Sequence, residues 1–140
     1  MATQAQIAAG LDTRLATISG LRHWDRYPDT FNPPGAWVEE EDGDYPQSVS
    51  RLFGFYRFAI VVAVQASNMR IAQTGLRPYI APTGSSSIVA AIVGDRSLGG
   101  LAGTAVVKVL GYDKPEAEDV NGVEYWATRV HLEVQSHDAL

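Results

Sequence analysis

The strongest constraint on the fold is a segment that is apolar on both faces of a predicted strand. Residues 55–66 read FYRFAIVVAVQA, and every position from Phe58 to Val64 is apolar. A strand with one solvent-exposed face alternates between apolar and polar residues, whereas a strand covered on both faces is a continuous run of apolar residues. This segment therefore predicts a central strand. Its second face is covered either by the chain itself or by a partner.

The amino terminus predicts an amphipathic helix. Its apolar residues recur at helical spacing, at Ile7, Leu11, Leu15 and Ile18. Thr3 and Gln6 have the spacing of a capping box, in which each side chain accepts a hydrogen bond from the other residue's backbone N–H. We expect this helix to pack its apolar side on the sheet.

Two further helices are expected after the central strand. The first covers residues 68–80 and is capped by Ser67, and Pro78 should bend or shorten it because proline lacks the N–H donor. The second covers residues 88–93, with serines before it as caps and with Gly94 closing it in the left-handed conformation.

The other strands complete the sheet. They are expected at residues 21–27, 36–39, 104–112 and 123–135. Asn121-Gly122 predicts a hairpin between the last two strands, so that Pro115 and the acidic residues 116–119 must bulge or fray. We predict one α+β domain over residues 1–140, with a mostly antiparallel sheet and with the N-terminal helix and the helix pair packed on one face.

Composition argues against several kinds of function. The chain has no cysteine, which excludes thiolate chemistry, Cys-based zinc sites and disulfides. Its formal net charge is −5 and its eleven Lys and Arg residues are scattered, so nucleic-acid binding is not expected. The longest apolar run, residues 58–66, is interrupted by Gln65 and is far shorter than the ~20 residues of a membrane helix. The first residues also lack the features of a signal peptide.

Candidate catalytic residues all have simpler explanations. His131 and Glu133 share a strand face and could ligate a metal, but a third ligand is missing and Arg129 beside them repels cations. The serines at 85–87 lack the G-x-S-x-G pattern of a nucleophile elbow and are explained by helix capping. We therefore expect no enzymatic activity, no cofactor and no metal.

Aromatic residues are concentrated in the first third of the chain, at Trp24, Tyr27, Phe31, Trp37 and Tyr45. They surround the proline-rich loop 28–35, and loops ordinarily lie at the surface. The five residues either form a satellite core under this loop or anchor a neighbouring subunit.

Five short motifs are spread along nearly the whole chain. They are the turn Thr17–Leu21, the proline-rich loop Asn32–Ala36, the helix end Tyr79–Gly84, the turn Leu98–Gly100 and the strand start Gly122–Tyr125. In this order and spacing they resemble the tail-terminator proteins of long-tailed, siphovirus-type bacteriophages, especially phages of actinobacteria. Gly75 and Pro78 depart from the resemblance, because related helices favour ordinary helix formers there.

The resemblance implies a hexameric ring at the head-proximal end of the tail tube. Such a ring ends tube polymerisation and presents a surface to the head-completion protein. The implied partners are further copies of the chain, the major tail-tube protein and the head-completion or stopper protein. The genome passes through the lumen without sequence-specific binding. The implied location is the head–tail junction of the virion, after synthesis in the host cytoplasm.

Acidic residues are the expected lining of the lumen or the contact with the tube, because they would not grip the passing phosphates. The candidates are Glu39, Glu40, Glu41, Asp42, Asp44, Glu116, Glu118 and Asp119. Alternatively, these acids only solubilise outer loops. Two other functions stay open: a head-closure or connector protein of the same neck region, and a small ligand-binding α+β domain, which would need a deep pocket.

Overall fold

The structure, a computed structural model, describes residues 2–45, 53–100 and 106–137. Its elements in chain order are α1 (Gln4–Leu15), β1 (Arg22–Trp24), β2 (Gly35–Asp44), β3 (Phe53–Val64), α2 (Met69–Ile80), α3 (Ile88–Val93), β4 (Val106–Tyr112), β5 (Glu116–Val120) and β6 (Val123–His137). This arrangement confirms the predicted α+β class. The first two residues of the strand expected at 104–112 lie outside the described residues.

One mostly antiparallel sheet contains all of these strands. Its order is β1-β2-β3-β6, after which β4 and β5 both pair with β6. β5 pairs with the first residues of β6 and β4 pairs with the later ones, so the two short strands follow one another along one edge. The β1–β2 pair is parallel, and the other pairs are antiparallel.

The main core lies between the sheet and the helices. Side chains of α1 and α3 pack with the even-numbered residues of β3, as expected for a strand whose side chains alternate between faces. The six residues predicted to be buried are all buried, which confirms that prediction: Phe58, Ile60, Val62, Val64, Val130 and Leu132.

A second, smaller core covers part of the opposite face of the sheet. Val61 and Ala63 of β3 pack there with Phe31, Trp37, Val120 and Ala127. Both residues of β3 are fully buried. The continuous apolar run therefore has its explanation within the chain, because β3 is covered on both faces.

The predicted helix starts are partly confirmed. The Thr3–Gln6 capping box is present at α1, and Ser87 caps α3. The cap of α2 is Asn68 rather than Ser67, because the Asn68 side chain accepts from the backbone N–H of Ile71. None of the helices in the described ranges has the length and apolar character that a membrane crossing requires.

The predicted end of α2 at residue 80 is confirmed, and the predicted end of α3 needs a correction. α2 is not shortened at Pro78 but continues through it to Ile80. Gly94 is right-handed, with φ −59°, because the chain makes a further turn in which the N–H of Asp95 donates to the carbonyl of Ile92. The left-handed residues come later, at Leu98, Gly99 and Gly100.

The hairpin turn at Asn121-Gly122 is present, but it joins different strands from those predicted. Both residues have positive φ, of 55° and 85°, as a tight hairpin turn requires. Residues 116–119 neither bulge nor fray, since they belong to the regular strand β5, which pairs with β6. The irregularity lies instead in β4, where the register shifts between Val109 and Gly111.

Two leucines in neighbouring strands provide a test of this core. Leu132 is 0% exposed and Leu110 is 50% exposed. We expect Leu132→Ala to lower the free energy of unfolding by about 2–5 kcal/mol, because it leaves a cavity under the helices. Leu110→Ala should change it by less than about 0.5 kcal/mol. Urea unfolding of both variants measures the difference, and similar losses would contradict the assignment of the two faces.

Candidate assembly surface

The face of the sheet opposite the helices has a row of charged side chains beside the small core. Three cationic side chains lie on the two central strands: Arg57 on β3, and Arg129 and His131 on β6. Each of them lies between two carboxylates from neighbouring segments. The alternation of β3 and β6 places all three on this face.

Arg129 joins three strands. Its Nε lies 2.7 Å from Oε2 of Glu39 on β2, and its Nη2 lies 2.7 Å from Oε1 of Glu118 on β5. Further bonds of 3.3 Å and 3.1 Å make both pairs bidentate. The guanidinium reaches across β3 to Glu39. In the register, the β3 residue between Glu39 and His131 is Ala59, whose side chain is small. Hydrogen bonds to Glu39 and then Glu118 raise the pKa of Arg129 above its ordinary value.

His131 bridges two other segments of the chain. Its Nδ1 lies 3.0 Å from Oε1 of Glu41, and its Nε2 lies 2.9 Å from Oδ1 of Asp113. Two carboxylates at the two ring nitrogens favour the doubly protonated imidazolium. The pKa of His131 is raised, chiefly by the hydrogen bond to Glu41. Glu41 reaches this position because the β2–β3 register shifts between Glu40 and Asp42.

Arg57 closes the row near the end of β2. Its Nη1 lies 3.0 Å from Oδ1 of Asp42, and its Nη2 lies 3.0 Å from Oδ2 of Asp44. The hydrogen bond to Asp44, followed by that to Asp42, raises the pKa of Arg57. These pairs are solvent-exposed, so they fix the register of the strand more than they stabilise the fold.

We call this surface the charged sheet face. Its carboxylates are Glu39, Glu41, Asp42, Asp44, Asp113, Glu116, Glu118 and Glu133. Its cationic side chains are Arg57, Lys108, Arg129 and, when protonated, His131. Carboxylates therefore outnumber cations, and the face is acidic overall even though much of its charge is paired.

The eight predicted acidic candidates occupy different environments. Five of them take part in ion pairs: Glu39, Glu41, Asp42, Asp44 and Glu118. Asp119 accepts a 2.8 Å hydrogen bond from the backbone N–H of Gly122 in the hairpin turn. Glu40 and Glu116 are exposed. Sequence reasoning identified the acids but missed their cationic partners, which alternation on β3 and β6 could have placed on the same face.

A concavity of about 530 Å³ lies at the break between β4 and β5. Charged side chains line it, among them Asp113, Lys114, Glu116 and Arg129. At its rim the hydroxyl of Thr128 donates to the carbonyl of Asp113 over 2.5 Å. Within the described residues, no group of three potential ligands is placed to hold a metal ion. The surface is suited to electrostatic contact with a partner.

The five aromatic candidates separate into two groups. Phe31 stacks edge-on against Trp37 at 5.6 Å, and Trp24 stacks against Phe31 at 5.5 Å. Trp37 is only 2% exposed, so these three residues belong to the second, smaller core, which corresponds to the satellite core expected from the sequence. Tyr27 and Tyr45 are 52% and 51% exposed. The prediction that aromatic residues anchor a neighbouring subunit therefore rests mainly on these two tyrosines.

Asn121 holds the aromatic loop against the hairpin. Its backbone N–H donates to the hydroxyl of Tyr27, and its side-chain amide donates to the carbonyls of Pro28 and Asp29, each over 3.0 Å. The Asn-Gly pair predicted only the turn. The contact with the loop could not be predicted, because it joins segments more than ninety residues apart.

The fold and the charged sheet face define a single-sheet α+β protein with helices on one side and an ion-pair network on the other. Neither a scan of known protein-family models nor a search of curated proteins finds a match to this chain.

The position of His131 predicts that the free energy of unfolding depends on pH. Because its folded-state pKa is raised above the ordinary value of 6.5, its stabilisation is complete below that value and is lost as the pH rises through the raised pKa. We expect the difference in free energy of unfolding between the wild type and His131→Gln to be larger at about pH 5.5 than at about pH 8.5. Leu110→Ala is the control, since its difference should not vary with pH. If the difference for His131→Gln is the same at both pH values, the bridge from His131 to Glu41 and Asp113 is contradicted.

Asn121 allows a test with two matched substitutions. Asn121→Gly keeps the positive φ but removes the two amide hydrogen bonds, so we expect a loss of about 1–2 kcal/mol. Asn121→Ala also strains the left-handed backbone, which adds about 1 kcal/mol. Urea unfolding should rank the wild type above the glycine variant, and the glycine variant above the alanine variant. A glycine variant as stable as the wild type would show that the amide contacts contribute nothing.

Proposed function

We propose that this chain is the subunit of a phage tail terminator, a ring that ends polymerisation of the tail tube and joins the tail to the head. The observation that carries the proposal is the placement of the five resemblance motifs. Each coincides with a turn or an element end, and Gly20, Gly84, Gly99 and Gly122 within them have positive φ. The resemblance therefore concerns chain architecture, which is what related assembly proteins would share.

The edge of the sheet supports this proposal. β4 exposes large apolar side chains, at Val106, Leu110 and Tyr112. Ring subunits need surfaces for contacts with unlike surfaces of their neighbours. In this proposal the protein acts through interfaces, without catalysis or a cofactor. Its partners are other copies of the chain, the major tail-tube protein and the head-completion protein, at the head–tail junction of the virion.

Tail length is the direct test of this function. We expect phage lacking the protein to produce tails of uncontrolled length, because nothing stops the addition of tube subunits. Adding the purified full-length chain to growing tubes should cap them, and negative-stain electron microscopy should show a ring at one end. Normal tail lengths in its absence, combined with heads that fail to close, would contradict the proposal and favour a head-closure protein.

Glu40 allows the two predicted positions of the acidic residues, the ring lumen and the contact with the tail tube, to be distinguished. It is exposed and lies outside the ion pairs of the charged sheet face. If Glu40 lines the lumen, Glu40→Lys in every subunit should slow genome ejection, since each lysine adds a phosphate contact. Tail length should stay normal, and Glu124→Lys serves as the control at another exposed acid. Overlong tails with normal ejection would instead place Glu40 at the tube interface.

A further inference from the structure

The outer side of α2 is basic. Between Asp44 and Asp95 the chain contains no Asp or Glu. Arg70 and Arg77 are exposed, and their separation of seven residues places them on the same side of the helix, about 10 Å apart along its axis. Neither forms an ion pair within the described part of the chain.

An exposed aromatic residue lies beside Arg77. Arg77 lines a groove of about 230 Å³ together with Gln73, Ile80, Tyr112 and Pro115. Tyr112 is 58% exposed, the highest value among the exposed large apolar residues that the structure describes. We call this surface, formed by Arg70, Gln73, Arg77 and Tyr112, the basic helix face. Arginine next to an exposed tyrosine is a combination enriched in protein interfaces.

The two charged surfaces of one subunit lie on opposite sides of its sheet. α2 packs on the main-core side through Ala72 and Leu76, whereas the charged sheet face lies on the other side of β3 and β6. A subunit therefore cannot pair its own two surfaces. The charged sheet face also has carboxylates available for contact with a partner, because Glu116 and Glu133 form no ion pair within the described residues.

We propose that the basic helix face of one subunit packs against the charged sheet face of the next copy of this chain. This inference rests on the proposed ring and names the contact that builds it. The charged sheet face has a concavity between β4 and β5 that could receive part of the helix, and the two surfaces carry complementary charge. A contact between unlike surfaces repeats from copy to copy and closes into a ring when the rotation per subunit allows it.

Charge reversal on the two surfaces tests the contact. Arg70→Glu with Arg77→Glu makes the helix face acidic, and Glu116→Arg with Glu133→Arg puts positive charge in place of the two carboxylates of the sheet face that form no ion pair. Each double variant alone should raise the protein concentration at half-assembly by roughly tenfold or more, because the substituted side chains then meet charges of the same sign at every junction. Arg70→Lys with Arg77→Lys keeps the charge and should assemble nearly as the wild type does. Circular dichroism confirms that every variant is folded.

Mixing the two charge-reversed proteins in equal amounts is the decisive measurement. In a ring with an even number of alternating subunits, the substituted positions again meet charges of opposite sign at every junction, so native mass spectrometry should show rings containing both variants in equal numbers. A mixture that stays unassembled would overturn the inference, as would helix-face variants that assemble as the wild type does, while the proposed function would stand.

Two other results separate this inference from its competitors. A wild-type chain that forms no ring, either alone or on tail tubes, would contradict the proposed function and this contact together. The Arg70→Glu, Arg77→Glu variant could also form intact rings but fail to bind a short DNA duplex that the wild type binds. This result would assign the basic helix face to nucleic-acid binding. That result would also overturn the inference.

Discussion

The burial of β3 on both faces is the constraint on which the rest of the structure depends. On one side, Phe58, Ile60 and Val62 require cover, and the helices provide it. On the other side, Val61 and Ala63 require cover as well, and the aromatic loop before β2 provides it. Each fully buried aliphatic side chain contributes roughly 1.5–3 kcal/mol before entropy is counted. The chain therefore folds around this strand, and the loop between β1 and β2 belongs to the core.

The ion pairs have a different role from that of apolar burial. Exposed pairs contribute little free energy, commonly below about 1 kcal/mol each. Arg129, however, binds carboxylates from β2 and β5, and His131 binds Glu41 and the segment after β4. A slip of one residue in any of these strands would move its charged side chains to the apolar face. The network thus selects one register among those that burial alone would tolerate.

Local signals explain why much of this fold could be predicted. Periodicity identified α1 and the two long strands, and the capping box and the Asn-Gly turn depend only on neighbouring residues. β5 was missed because its acidic sequence resembles a solvated loop, whereas it is a strand through its pairing with the first residues of β6 and through the bond from Arg129 to Glu118. The ion-pair network and the Asn121 contact join segments far apart in sequence, which periodicity cannot detect. Six of the eight acids of the charged sheet face were among the predicted acidic candidates, Asp113 and Glu133 were not, and no pairing was predicted.

The interruption of the edge beside β6 has a consequence for unwanted association. A long, regular edge strand presents a row of backbone donors and acceptors on which other chains can add strands without limit. Here β4 carries Lys108 and a register shift near Gly111, and Pro115 separates it from β5. No continuous template for fibril growth exists along these two strands. The apolar side chains that β4 exposes are thereby protected from amyloid-like stacking at the same edge.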